Sequence, residues 1–274
     1  MYIFNSDLDN TLIYSYKHNI GEDKVNVEIY DGRQISFMTR KSYNMLKEVN
    51  ERMIFVPTTT RTVEQYKRIN LGISDIKYAL TCNGGILLKH GVPDSDWYKE
   101  SRKLVCGCDE IIAAGIELLE KDINVNFEIR NIERLFVFTK SSEPEQTAAE
   151  LRKHLNTDMV SIHTNGAKVY IVPQKLNKGS GIKRLKKALS VDKTVAAGDS
   201  EFDIPMLKVA DISFAPYELK SKVPQKTTCL SGKGIFSDEL LSRCLLTAYV
   251  PLPAEDSANV SNVAVGDSST GIIN

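Results

Sequence analysis

The sequence predicts an α/β protein: a doubly wound parallel sheet with an inserted α+β unit. Three observations predict it. Short apolar runs alternate with amphipathic helical segments from residue 2 to about 85, the pattern of strands joined by crossover helices. The alternation stops over residues 85–173, where strands follow one another closely, and then resumes. Three polar turns, holding Asp7 and Asp9, Thr58–Thr60, and Asp199 and Asp203, each follow a short apolar run. Loops at the carboxyl ends of parallel strands share one crevice, and ligands bind there.

The elements follow in order. Tyr2-Ile3-Phe4 is a buried strand. Val25–Tyr30 and Gln34–Met38 alternate around Asp31-Gly32, a two-residue hairpin signal. Thr39 caps a helix whose Met45, Leu46 and Val49 recur at helical spacing. Met53–Val56 is a strand stopped by Pro57, a helix runs from about Val63 to Ile69, and Ile76–Leu80 is a third strand closed by Asn83-Gly84-Gly85. Cys108–Lys121 is helical. Val125–Ile129 and Leu135–Phe138 pair antiparallel, Pro144–Leu155 is a helix, and Met159–His163 and Lys168–Val172 flank an Asn165-Gly166 turn. The first rhythm returns with a helix over Ser180–Leu189, a strand at Thr194–Ala197, a short helix at Ile204–Ala210, a last strand at Ile212–Phe214 and a helix at Leu240–Thr247. From about residue 248 a Ser/Asn-rich stretch reads as a weakly structured tail.

Composition narrows the function. The 274 residues carry 35 Lys+Arg and 35 Asp+Glu, so the basic excess of a protein that grips nucleic acid through phosphates is absent. No apolar run reaches the roughly 18–20 residues that span a bilayer. An odd count of five cysteines suggests reduced thiols and a cytoplasmic setting. Cys106-x-Cys108 lacks a second pair, which argues against zinc.

The chemistry lies in the polar turns. Asp7, Asp9 and Asp199 brought close would repel one another, so the site needs a cation. The ligands are hard oxygens, which favours Mg2+ held by carboxylates, water and substrate phosphate. Lys178 stands just before a helix, and an ammonium and a helix N-terminus both favour an anion. Thr59 adds a hydroxyl. Together these form a phosphate cradle beside a carboxylate nucleophile.

At these residues the chain resembles a known family. Ser6-Asp7-Leu8-Asp9-Asn10-Thr11-Leu12, Thr59, Lys178-Gly179 and Gly198-Asp199-Ser200-Glu201-Phe202-Asp203 resemble, in order, the four motifs of the haloacid dehalogenase superfamily. The Thr81–Gly85 turn and the insert between the second and third motifs are similar to its Cof-type branch, with a C2 cap. The resemblance implies a catalytic core over 1–84 and 174–247, a cap over 85–173 and a tail over 248–274. It implies Asp7 as nucleophile, Asp9 as general acid and base, and Thr59 and Lys178 on the phosphoryl group. It implies Mg2+ on Asp7, the Asp9 carbonyl and Asp199, with Asp203 as a further or outer ligand. Two positions depart from the pattern. Thr60 stands where glycine is common, before Arg61, and Phe202 stands where asparagine is common.

The implied activity is Mg2+-dependent hydrolysis of a small phosphorylated metabolite, sugar phosphates first, with neither nucleic acid nor membrane as partner and no oligomeric state specified. A phosphomutase, or a phospholigand-binding protein on a decayed core, are the alternatives. Strand alternation in the insert puts Asn126, Glu128 and Arg130 opposite Val125, Phe127 and Ile129, and Lys168 and Tyr170 opposite Val169 and Ile171. The polar face is expected to look across the cleft, so Glu128, Arg130 and Lys168, with Thr60, Arg61 and Asn83, are candidate substrate contacts. The long segment between Asp9 and Thr39 is expected to act as a flap that excludes water.

Overall fold

The computed structural model describes residues 2–249. The expected tail therefore lies almost wholly outside the described residues. The chain forms β1 (Tyr2–Ser6), β2 (Tyr14–Ser15), β3 (Lys24–Tyr30), β4 (Arg33–Thr39), α1 (Arg40–Arg52), β5 (Ile54–Pro57), α2 (Val63–Lys67) and β6 (Tyr78–Thr81). It continues with β7 (Ile86–Lys89), β8 (Val92–Pro93), α3 (Ser95–Val105), α4 (Asp109–Lys121), β9 (Arg130–Ile132), β10 (Phe136–Lys140) and α5 (Pro144–His154). β11 (Val160–Asn165), β12 (Lys168–Pro173), α6 (Lys178–Leu189), β13 (Lys193–Ala197), α7 (Ile204–Val209), β14 (Ile212–Pro216), β15 (Thr228–Leu230) and α8 (Phe236–Tyr249) complete it.

The central sheet has the order β15-β14-β13-β1-β5 and is parallel throughout. Successive residues of a strand point to opposite faces, so β1 serves two cores. Phe4 packs with Phe55, Val195 and Phe214 against Leu46 of α1 and Leu240 and Leu241 of α8. Ile3 packs with Val56 and Ala196 against Ile182 and Leu185 of α6 and Met206 and Leu207 of α7. Helices thus cover both faces, as a parallel sheet requires. Thr39 caps α1, its hydroxyl accepting from the Ser42 amide at 2.9 Å.

A second sheet, β11-β12-β10-β9, is antiparallel. Its Val137, Val169, Ile171, Val160 and Ile162 pack beneath α4 and α5, represented by Ile112, Leu119, Ala148 and Leu151. The opposite face turns toward the loops of the central sheet. A third cluster joins the two units there, with Phe136, Tyr170 and Val172 meeting Val63, Ala79, Cys82 and Phe202.

Several expectations need correction. Ile76–Leu80 does not extend the parallel ladder: β6 touches it through one bridge, Thr58 to Leu80, and pairs antiparallel with β7. The Asn83–Gly85 turn reverses the chain, with Asn83 at φ 59° and Gly84 at φ 87°, a conformation glycine and asparagine tolerate. Val125–Ile129 forms no strand. It touches its neighbour through a Val125–Ser141 bridge, and the ladder begins at Arg130. The hairpin turn of β11–β12 is Gly166-Ala167, because Asn165 already faces Lys168. Ile212–Phe214 is not the last strand, since β15 adds an edge beyond it.

Residues 86–105 carry β7, β8 and α3, which the periodicity did not suggest. Trp97 of α3 is buried with Leu80, Leu87 and Ile182, donates to the Gly84 carbonyl at 3.0 Å, and lies 3.8 Å under the Arg184 guanidinium. Leu87 and Trp97 thus pack with the core, while Ile86, Leu88 and Val105 pack with Leu135, Phe136 and Tyr170 of the second unit.

The flap is a β2-β4-β3 sheet whose hairpin turn has Asp31 at φ 48° and Gly32 at φ 73°. Its base belongs to the core, where Val27 and Met38 are buried. Only the tip projects, with Ile29 and Tyr30 exposed. No helix among the described residues is long and apolar enough to cross a membrane.

Candidate active site

Backbone bonds draw the loops together. The Asp7 amide donates to the Ala197 carbonyl at 2.9 Å, the Thr58 amide to Ser6 at 2.8 Å, and the Thr59 amide to Leu80 at 2.8 Å. The carboxyl ends of β1, β5, β6 and β13 thereby meet at one point. Asn10, at φ 59°, then turns the chain so that Thr11 reaches back and donates to Asp199 Oδ1 at 2.9 Å.

At this point stand Asp7, Lys178, Asp199 and Asp203. Lys178 Nζ, fully buried, donates to Asp7 Oδ1 and to Asp203 Oδ1, both at 2.6 Å. Asp203 Oδ2 accepts from the amides of Asp199 at 3.0 Å and Ser200 at 2.9 Å and from the Ser200 hydroxyl at 2.9 Å. A Cβ on Gly198 would lie 2.3 Å from the Asp203 side chain, so this loop requires glycine. Asp203 is the brace of the loop, with both carboxylate oxygens bonded within the protein.

The charges do not balance. Asp7, Asp199 and Asp203 offer oxygens all within 4.8 Å of one another, the only such acidic, His or Cys group among the described residues, against one ammonium. Burial pushes the Asp7 carboxyl well above its usual range, with Lys178 opposing and the other carboxylates adding to the rise. Burial and Asp203 push Asp199 up to about 7. Burial would lower Lys178, but Asp203 and Asp7 outweigh it and hold the ammonium charged. A hard divalent cation fits this oxygen set and relieves the repulsion.

Asp9 faces the other way. Arg61 grips it with a two-pronged fork, Nε to Oδ2 and Nη2 to Oδ1, each 2.8 Å. Burial pushes the Asp9 carboxyl up, and the fork more than reverses this, leaving it below its usual range. Arg61 Nη1 also donates to Glu28 Oε1 at 2.8 Å. Glu28, wholly buried on β3, accepts in addition from Ser36 at 2.7 Å and Arg68 at 3.2 Å.

Two joined cavities result. The inner one, about 200 Å³, is lined by Asp7, Lys178, Asp199 and Ser200. The outer one, about 270 Å³, runs between Arg61 and the second sheet. Asp9, Thr60, Lys168 and Tyr170 line both.

The remaining sequence-derived candidates divide. Thr59 is buried and its hydroxyl accepts from the Arg61 amide at 3.2 Å. Arg130 and Lys168 line the outer cavity. Glu128 does not, and is paired with Arg130 on the exposed side. Asn83 lies away from Asp7, donating to the Leu176 carbonyl at 3.1 Å beside a smaller cavity with His163 and Phe202. Arg61, considered as a substrate contact, has its fork on Asp9 and Glu28.

Sequence reasoning placed Tyr170 on the cleft face and missed the rest of the aromatic wall. Phe127, Phe136, Phe138 and Tyr170 line the outer cavity. The two-residue period groups Phe127 with Val125 and Ile129 opposite the cleft face, but without a regular strand that period fails and Phe127 turns to the cleft. The Phe136-x-Phe138-x-Lys140 spacing carried the signal, since β10 alternates with Val137 and Thr139 buried on the other side. Phe202 fills a packing role: its ring lies 4.5 Å from His163 and 4.9 Å edge-on to Tyr170.

With this geometry the family can be stated. Residues 92–233 match the haloacid dehalogenase-like hydrolase family, and the chain belongs to it. Its fold is similar to that of the sucrose-phosphatase of Synechocystis sp. PCC6803, solved with sucrose and phosphate, at 13% identity over 90% of this chain and 97% of that one, with a TM-score of 0.60. It is also similar to a haloacid dehalogenase-like hydrolase from B. subtilis, at 16% identity over 91% and 100% of the two chains, with a TM-score of 0.53. A Thermoplasma acidophilum structure matches at 13% identity over 90% and 99%, with a TM-score of 0.56. No curated protein sequence matches the chain.

Proposed function

We propose that this hydrolase is a phosphatase that cleaves a small phosphorylated metabolite through an aspartyl-phosphate on Asp7. The observation that carries the reading is the pair of joined cavities, with Asp7 and Lys178 in the inner one and Asp9 on the wall between them. The phosphoryl group fits the inner cavity and the leaving group the outer one. The sugar-phosphatase among similar folds supports sugar phosphates as the first class to try.

In this reading an Asp7 carboxylate oxygen attacks phosphorus as the bond to the leaving oxygen breaks. Asp9 gives that oxygen a proton, for which it must first leave the Arg61 fork and take up that proton from solvent. Asp9 then takes a proton from a water that attacks the aspartyl-phosphate, releasing phosphate and restoring Asp7. A placed acid–base of this kind is worth roughly 10²–10⁴-fold. Lys178 and the Thr59 loop hold the charge of the transferring group, the dominant demand of phosphoryl transfer. Mg2+ on Asp7, Asp199 and the Asp9 carbonyl would supply charge neutralisation there, with Asp203 bracing Lys178 and the Asp199 loop. Neither departure from the family pattern empties a charged role.

We assign 2–105 and 174–247 to the core and 106–173 to the cap, because Trp97 and β7 pack with core elements. The test is phosphate release from p-nitrophenyl phosphate with Mg2+. Release is expected in the parent chain and a loss of about a thousandfold or more in Asp7→Asn. No release with any divalent cation overturns the proposal.

A further inference from the structure

Lys140 and Lys168 stand directly opposite each other across β10 and β12. Like charges in that position repel, and a sheet gains nothing from them unless something else lies between. Both line the outer cavity. Neither forms an ion pair with a carboxylate among the described residues. Lys140 Nζ lies 4.4 Å from the Phe127 ring centre, and Lys168 acts on Asp9 through space. The other cations of the cleft differ. Arg61 and Arg68 are neutralised by Asp9 and Glu28, and Arg130 by Glu128.

Beside this lysine pair stands the aromatic wall. Phe138 lies 5.8 Å from Phe127 and 5.2 Å from Tyr170, and Arg130 sits 5.0 Å over Phe127. A neutral sugar leaving group would use the wall and leave two ammonium groups unpaired. A leaving group with a ring and a second anion would use both.

We propose that the substrate carries a second anionic group, carboxylate or phosphate, seated between Lys140 and Lys168, on a ring that lies against Phe127, Phe138 and Tyr170. The proposal rests on the phosphatase reading and makes it more specific. The phosphoryl group that is cleaved stays with Asp7 and Lys178, and the second anion remains on the product.

The experiment compares kcat/KM within matched pairs. Glucuronic acid 1-phosphate is set against glucose 1-phosphate, which tests a ring carboxylate. Glucose 1,6-bisphosphate is set against glucose 1-phosphate and glucose 6-phosphate, which tests a ring phosphate. Adenosine 3′,5′-bisphosphate is set against adenosine 5′-phosphate, which tests a base-bearing ring. At least one pair is expected to favour the second anion by about tenfold or more, and Lys140→Gln/Lys168→Gln to bring that ratio to within about twofold of one. Ratios below about threefold in every pair, with p-nitrophenyl phosphate still hydrolysed, overturn this proposal alone. A preference that survives the double substitution overturns the assignment to the lysines. No hydrolysis of p-nitrophenyl phosphate overturns the phosphatase reading and this proposal with it.

Discussion

Glu28 is the residue that ties the β2-β4-β3 sheet to the candidate site. It sits on β3, wholly buried, and holds Arg61, which in turn holds Asp9. Burial raises its carboxyl, but bonds from Arg61, Ser36 and Arg68 prevail and keep it below its usual 4.5. A carboxyl depressed in the folded state stabilises the fold fully above its unfolded value and loses that contribution as pH falls through the folded one. Thermal denaturation at stepped pH should therefore show the parent chain losing stability below about pH 4.5, with a smaller loss in Glu28→Gln. At pH 7, Glu28→Gln should cost roughly 2–4 kcal/mol, because two guanidinium groups lose their shared carboxylate. Equal acid sensitivity in the two proteins would contradict this account of Glu28. Nothing in the sequence marked the residue: the Val25-Val27-Ile29 alternation puts Glu28 on the opposite, outward face, register shifts on both sides of it in β3 turn it inward beside Val27, and its arginine partners are 33 and 40 positions away.

At the scale of elements, the loops that meet at the candidate site were legible because they are local. Asp7-x-Asp9, Gly198-Asp199 and Lys178 each lie within a few residues of a strand end or helix start, so short-range signals suffice. The hairpin at Asp31-Gly32 and the Thr39 cap were legible for the same reason. β7 and α3 were not. Ile86-Leu87-Leu88 is a short apolar run between a glycine turn and Lys89, and α3 is held by the single large anchor Trp97 with Ser101 and Val105. The cleft face of the second sheet was legible at Lys168 and Tyr170, where the strand is regular, and not at Phe127, where it is not. That sheet carries its own prediction. Replacing Lys140 by Gln relieves the repulsion across β10–β12 and gives up the contact of the ammonium with the Phe127 ring, two effects of similar size, so stability in urea denaturation should change by less than about 1 kcal/mol. A loss of more than about 2 kcal/mol would show that Lys140 has a carboxylate partner.

The whole molecule is two units closed over one charge imbalance. The central sheet gathers three carboxylates and one ammonium, and Tyr170 of the second sheet meets Phe202 of the core beside them. Phe202 belongs to the Asp199–Asp203 loop yet packs against His163 and Tyr170 of the second sheet, so the departure from the family pattern serves the contact between units. A cation that fills the imbalance should stabilise the native state by mass action, about 2.7 kcal/mol at a hundredfold excess over Kd. The melting temperature should accordingly rise on adding Mg2+ and respond little in Asp199→Asn. An identical rise in both proteins would remove Asp199 from the metal site.

The central claim is that the phosphoryl group passes through Asp7. Borohydride reduces an acyl phosphate to an alcohol, so treating the enzyme during turnover and sequencing its peptides by mass spectrometry locates the intermediate. The account predicts homoserine at position 7, dependent on substrate and absent from Asp7→Asn. Homoserine at another aspartate, or none while phosphate is being released, would contradict it.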